Sequence, residues 1–243
     1  MPTFTTGDTT INYLQRGSGF PLLLIAPGGV RSSIEWWDNA PWNPIDHLGE
    51  HYRVIAMDQR NAGASIGPVT ADSGWSTYTG DQLALLDHLG VDRFLVEGMC
   101  IGGSYIMGLI QAAPERVVAA VLKQPIGLDD NRDAFDEMFA TWADEQRDAH
   151  PEAGPADWAA FNRAMFGGDF VFSVTPEFVS SCATPMLVLM GNDRYHPESV
   201  SRRVADLAPN ATLIERWKDP VDQPAARLAI EEFLAAHTPP DAA

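Results

Sequence analysis

Short runs of consecutive apolar residues alternate along this chain with longer stretches in which apolar residues recur every three or four positions. That alternation predicts parallel βαβ units. The runs Pro21–Ala26, Arg53–Met57, Arg93–Glu97, Val118–Lys123, Met186–Met190 and Thr212–Glu215 are expected as central strands. Thr3–Thr6 and Ile11–Gln15, around Gly7-Asp8, read as an opening antiparallel pair. Helical patterns cover residues 77–89, 101–113, 197–207 and 222–236. The spacing breaks once, where roughly 60 residues separate Pro125 from the strand that follows Thr184, far more than the other crossovers use. Within that stretch Phe135, Met138, Phe139 and Trp142 fall at helical spacing, as do Trp158, Phe161 and Met165; Pro151, Gly154 and Pro155 separate the two patterns. We read residues 128–183 as a helical lid over the carboxyl ends of the strands, inserted into a core of residues 1–127 and 184–243. The alternative is that these helices pack on the sheet edge.

At 243 residues the chain fits one domain with enough apolar content for a sizeable core. Thirty-three acidic and 16 basic residues give a formal net charge of -17. Such a surface disfavours nucleic acid and anionic membrane as partners and leaves a small-molecule substrate as the expectation. No apolar run approaches the ~18 residues of a membrane span, and the N-terminal segment lacks a basic region followed by an apolar one. A cytoplasmic location is therefore expected. The two cysteines, Cys100 and Cys182, suggest no disulfide framework. No metal-ligand spacing, phosphate-binding loop or dinucleotide fingerprint occurs, so no cofactor is expected.

The most informative passage is Gly98-Met99-Cys100-Ile101-Gly102-Gly103, between the apolar run Phe94-Leu95-Val96 and the helical run that starts near Tyr105. A strand–turn–helix with Gly-x-nucleophile-x-Gly is a nucleophile elbow, here with cysteine in place of serine. The glycines allow a turn too tight for side chains beside the nucleophile. The helix N-terminus behind it favours a thiolate.

The whole chain resembles the α/β-hydrolase fold. Besides the elbow, Pro27-Gly28-Gly29 looks like the family's His-Gly loop, and Asp58-Gln59-Arg60-Asn61-Ala62-Gly63-Ala64-Ser65 like its Asp-x-Arg-x-x-Gly-x-Ser segment. Gly191-Asn192-Asp193 looks like the loop that bears the acid. A cysteine at the elbow is similar to the dienelactone hydrolases, a local likeness only. The resemblance implies a mostly parallel sheet with flanking helices and an oxyanion hole made by the backbone N–H groups of Gly29 and Ile101. It also implies a histidine after the last strand, and there the chain departs from the pattern. Matching Asp222-Gln223-Pro224 to the start of the final helix puts Trp217 at the histidine position.

Of the six histidines, His47, His51 and His88 fall at the wrong end of the sheet, His150 belongs to the lid and is expected to be exposed, and His237 comes too late in the final helix. His196 sits three residues after Asp193 on a loop that leaves the carboxyl end of a strand, with Pro197 suited to open the next helix. It can turn inward to Cys100 with Asp193 orienting its ring, or merely close the turn. Asp193 can equally cap that turn. Asp58 and Arg60 read as a structural pair, and Ser104 as packed. Trp36, Trp37 and Trp75 are expected to line a substrate pocket, with Arg31 and Glu35 adding polar contacts. These residues point to a cysteine hydrolase of a small ester, thioester or lactone. An acyltransferase or lyase, or a ligand-binding protein that kept the pocket and lost the base, remain the alternatives.

Overall fold

In the computed structural model, which describes residues 1–240, the apolar runs assemble into a single eight-stranded sheet. Residues 241–243, the end of the expected 184–243 segment, lie outside the described residues. The strands are β1 (Thr3–Thr6), β2 (Thr9–Arg16), β3 (Pro21–Ile25), β4 (Arg53–Met57), β5 (Phe94–Met99), β6 (Val117–Lys123), β7 (Met186–Leu189) and β8 (Ala211–Ile214). Their spatial order is β1-β2-β4-β3-β5-β6-β7-β8. β1, β2 and β4 pair antiparallel, and every pairing from β4 through β8 is parallel.

The parallel strands are apolar on both faces because both are covered. Along β3, Leu22 and Leu24 enter one apolar layer while Leu23 and Ile25 enter the other, and all four are fully buried. Each such side chain contributes about 1.5–3 kcal/mol of burial. The helices are α1 (Pro44–Leu48), α2 (Trp75–His88), α3 (Gly102–Ala112), α4 (Arg132–Gln146), α5 (Pro155–Phe166), α6 (Pro176–Ser181), α7 (Glu198–Leu207) and α8 (Gln223–His237). Tyr78, Ile106 and Val204 bring α2, α3 and α7 to one face; Ile45, Ile230 and Leu234 bring α1 and α8 to the other. The chain passes from β3 outward to β4 and then back across to β5, so strand order reverses at β3. In open parallel sheets that reversal leaves a crevice at the strands' carboxyl ends, and the elbow stands there.

The segment between β6 and β7 carries α4, α5 and α6. Its aromatic side chains form one cluster with the main core: Phe139 lies 5.2 Å from Phe161, Trp142 5.8 Å from Trp158, and Phe166 reaches Trp75 of α2 at 6.2 Å between ring centroids. α4 also overlies the turn that follows β3. A Cβ built at Gly29 would come within 2.5 Å of the Met138 sulfur, and Arg31 pairs with Glu145 at 2.9 Å.

Several local expectations need correction. α2 begins at Trp75, two residues ahead of the expected 77–89 pattern, so that tryptophan belongs to the helix. α1, α6 and two short 3₁₀ turns, Gly29–Arg31 and Ile34–Asn39, went unpredicted because a turn or two of helix carries no readable periodicity. Asp58 and Arg60 are both structural but do not pair with each other. Asp58 accepts from Asn12 Nδ2 (2.7 Å) and from the backbone N–H groups of Ile34 and Ala64 (2.8 and 2.9 Å). Arg60 makes a two-pronged contact with Asp81 at 2.7 and 2.8 Å. His150 is buried, not exposed, and contacts Glu152 at 2.9 Å.

Glu97 of β5 and Lys123 of β6 are both fully buried and pair at 2.5 Å. The Lys123 ammonium also lies 4.6 Å from the ring centre of Trp37 and 5.0 Å from that of Trp42. A buried pair is costly to break because the survivor is an unpaired charge. Lys123→Met alone is therefore expected to lower stability by about 3–5 kcal/mol, whereas Lys123→Met combined with Glu97→Leu recovers most of that loss. Urea denaturation of the two variants checks this.

Candidate active site

Cys100 has the backbone of a nucleophile at a sharp bend. Its φ is 62°, a left-handed conformation that a non-glycine residue adopts only when its surroundings hold it there, at a cost of about 1–3 kcal/mol. The hold is visible in three hydrogen bonds. Cys100 N–H donates to Lys123 O (3.0 Å), and Cys100 O accepts from Gly103 N–H (3.1 Å) and Ile126 N–H (3.3 Å). The flanking glycines are required by close approach. A Cβ at Gly98 would lie 2.9 Å from the Gly102 carbonyl carbon, and one at Gly102 would lie 2.8 Å from Ile25 O.

The loop after β7 supplies the groups that face the sulfur. Asp193 Oδ1 accepts from the backbone N–H groups of Tyr195 (3.0 Å) and His196 (3.1 Å), closing a tight turn. The same carboxylate grips the His196 ring, with Nδ1 at 2.7 Å from Oδ1 and 2.9 Å from Oδ2. Asp193 thus does both things its position allowed: it caps the turn and orients the imidazole. Gly191 makes the fold-back possible, because any side chain there would collide with the His196 backbone. Pro197 is the residue before α7 rather than its first, since the helix starts at Glu198.

With Nδ1 committed to a carboxylate, the proton sits on Nδ1 in the neutral ring and Nε2 is left free. His196 is 8% exposed, and Nε2 has no aligned hydrogen-bond partner among the described residues. Its ring and the Cys100 sulfur are near enough for each charge to shift the other. Burial by itself would depress His196, but the Cys100 sulfur and the Asp193 carboxylate outweigh it and raise the imidazole to about 9. Burial would likewise raise the Cys100 thiol, but the imidazolium and the backbone N–H groups of Ile101 and Gly28 bring it below its usual value. Burial would raise Asp193 too; His196 and Lys218 overcome that and hold it at about 2. The three shifts act together: each of Cys100, His196 and Asp193 favours the charged form of its neighbour.

The N–H groups turned toward the sulfur are those of Ile101 and Gly28. Gly29, the expected partner of Ile101, instead lies under Met138 with φ 60°. Of the three tryptophans expected at a pocket, two are core residues. Trp37 is fully buried over Lys123, and Trp75 packs on Tyr105 at 5.2 Å while its Nε1 donates to Met165 O. Trp36 is half-buried at a cavity. Its ring lies against Gly28, and the cavity beyond it, about 610 Å³, is lined by Arg31, Ser33, Glu35, Asn61 and His150 among others. The Arg31 guanidinium on that wall is tied to Glu145.

The other sequence candidates lie apart from the site. His47 contacts Glu231 at 2.6 Å, His88 stacks on Phe4, and His237 contacts Phe233 O. Ser104 is buried and donates to Val171 O at 2.8 Å. Trp217, at the position where a histidine was expected, is 2% exposed; its Nε1 donates to Met190 O (2.7 Å) and its ring meets Trp42 edge-on at 5.8 Å. Sequence reasoning passed over Lys218, whose ammonium stands 3.7 Å from Asp193 Oδ2, because a lysine in a polar loop carries no signal of its own. Among the described residues no group of three His, Cys, Asp or Glu side chains is placed to hold a metal ion, and no helix is long and apolar enough to cross a membrane.

A sheet of this order, an elbow after β5 and an acid-bearing loop after β7 define an α/β hydrolase. The family model for the alpha/beta hydrolase fold matches residues 21–184, and the chain belongs to that family. Among sequence relatives, carboxylesterase YbfK of Bacillus subtilis strain 168 is 24% identical over 217 residues, covering 78% of this chain and 70% of that protein. The non-heme chloroperoxidase of Streptomyces lividans is 31% identical over 175 residues, covering 67% and 62% respectively. Among solved structures, the enol-lactonase from Burkholderia xenovorans LB400 superposes with a TM-score of 0.71 at 19% identity, covering 96% of this chain and all of that one, a likeness of fold.

The electrostatic coupling gives a direct test. Alkylation of Cys100 by iodoacetamide, followed by mass spectrometry across a pH series, is expected to show a midpoint below the ordinary thiol value, and His196→Gln is expected to move it upward. An unchanged midpoint in His196→Gln contradicts the pairing.

Proposed function

We propose that this protein is a cysteine hydrolase of small esters, thioesters or lactones, with Cys100 as nucleophile, His196 as acid and base, and Asp193 as the group that orients and charge-balances His196. The observation that carries this reading is the His196 ring itself. Its Nδ1 is fixed on Asp193 at 2.7 Å while Nε2, buried and without an aligned partner among the described residues, is left for Cys100, which stands at φ 62° on the elbow and whose ionisation is coupled to that ring.

The steps follow from those positions. The Cys100 thiolate attacks the substrate carbonyl, a C–S bond forms, and the carbonyl π pair moves onto oxygen. That oxyanion is held by the backbone N–H groups of Ile101 at the elbow and of Gly28 in the turn after β3. As the carbonyl re-forms, the bond to the leaving alkoxide or thiolate breaks, and Nε2–H of His196 delivers the proton it needs. Nε2, now neutral, takes a proton from water as the water oxygen attacks the thioester. Collapse of the second tetrahedral species expels the Cys100 thiolate and releases the acid, leaving the imidazolium again.

Two further points favour this substrate class. A thiolate is nucleophilic without a strong base, so a short dyad is enough for an activated acyl group, whereas an amide demands more help for its leaving amine. Relatives in sequence include proteins named as carboxylesterases, in line with acyl transfer to water. Trp36 joins the turn at Gly28 to the cavity of about 610 Å³ beyond it, and Met138 of α4 covers Gly29.

Hydrolysis of p-nitrophenyl acetate tests the reading. The wild-type protein is expected to form an acetyl-enzyme on Cys100 visible by mass spectrometry, and Cys100→Ala to lose turnover by at least about 1,000-fold. His196→Ala is expected to lose at least about 100-fold. Turnover in Cys100→Ala at the wild-type rate would place the chemistry elsewhere.

A further inference from the structure

The segment after β8 no longer carries the base, and it does something else. Trp217 and Lys218 are consecutive residues, and they grip the His196-bearing loop at two points. Trp217 Nε1 donates to Met190 O at 2.7 Å, immediately before the loop begins. Lys218 Nζ donates to Asn192 Oδ1 at 2.6 Å and stands 3.7 Å from Asp193 Oδ2. Lys218 is not a free surface lysine. Its neighbour Trp217 is locked between Trp42 and the core, its own carbonyl accepts from Gln223 Nε2 at 2.9 Å, and its side chain is only 26% exposed. Trp217 and Gln223 therefore fix the root of the side chain on both sides.

The carboxylate it approaches has an unequal load. Asp193 Oδ1 accepts from His196 Nδ1 and from two backbone N–H groups, while Oδ2 has only the longer contact with Nδ1 and the lysine beyond it. The Asp193 side chain is 47% exposed, so without a fixed cation its outer oxygen would be left to water. The competing charges nearby are already spoken for: Arg194 pairs with Asp133 at 2.8 Å, and Arg216 with Asp222 at 3.2 Å. The titratable groups facing Lys218 are Asp193 and, further off, Cys100. The titratable group that acts most strongly on Cys100 is His196, with weaker couplings to Lys218 and to the Tyr105 phenol.

We infer that Lys218 is a positioning residue that holds Asp193, and through it the His196 ring. The inference rests on the hydrolase reading above. It gives the loop after β8 a working role in place of the base it lacks.

Lys218→Met, which keeps the stem and removes the charge, and Lys218→Arg separate the possibilities. With p-nitrophenyl acetate, Lys218→Met is expected to lower kcat about 10-fold, the equivalent of one pKa unit of lost stabilisation, with KM little changed. Its Cys100 alkylation midpoint is expected to rise, and Lys218→Arg to restore most of both. A packing role alone would lower the thermal midpoint of Lys218→Met and leave the alkylation midpoint where it was. That result, or wild-type kcat in Lys218→Met, overturns the inference. Failure of the hydrolase reading looks different: the wild-type protein itself would form no acetyl-enzyme, while the difference in alkylation midpoint between wild type and Lys218→Met would still score the lysine.

Discussion

The contact between Asp193 and the Nδ1 nitrogen of His196 is the constraint on which the site depends. It lies within one loop, four residues from end to end, and it does three things at once. It closes the turn through backbone N–H groups, it decides which ring nitrogen carries the proton, and it stabilises the charged ring when Cys100 ionises. A thiolate forms at an elbow only if something nearby pays its charge back, and the helix N-terminus alone gives a modest effect. Here the imidazolium supplies the rest. Remove the carboxylate and the ring is free to turn, the other tautomer becomes available, and the thiol reverts toward its ordinary ionisation.

That arrangement explains why the chain tolerates a tryptophan after β8. In the pattern this fold resembles, acid and base come from two loops and meet over the nucleophile. In this chain Asp193 and His196 both stand on the loop after β7, at a spacing of three residues, and the loop after β8 braces them through Lys218 in place of a histidine. Trp217 fills the vacated volume between Trp42 and Met190 O with a large apolar ring and a satisfied N–H. The Trp42 ring that receives it is also one wall of the Lys123 cage above Glu97, and Lys123 O holds Cys100 N–H. Core and site are therefore continuous: the strand that buries the ion pair is the one that pins the bend at Cys100.

Much of this was legible in the chain. The strands showed as apolar runs because a parallel strand is buried on both faces, and Leu22 to Ile25 had no polar residue to spare. The elbow showed because Gly98 and Gly102 have steric reasons to be glycine that no other residue meets. His196 could be singled out by its distance from Asp193, since three residues is the reach of one tight turn. What stayed hidden was hidden for physical reasons. Trp37 and Trp36 are adjacent in sequence, yet one faces the core and the other a cavity, and a 3₁₀ turn of six residues gives too little periodicity to tell them apart. Gly28 and Gly29 both have positive φ, so composition could not say which N–H turns to the sulfur. Glu97 and Lys123 read as ordinary strand residues because a pair on neighbouring strands leaves no mark in either strand alone.

Nitrogen NMR of the His196 ring measures its charge directly. If His196 is an imidazolium beside Cys100, both ring nitrogens are protonated near neutrality and the ring loses its proton only as the pH rises toward about 9. A ring that is neutral at that pH, with a midpoint near the ordinary histidine value of about 6.5, would contradict it.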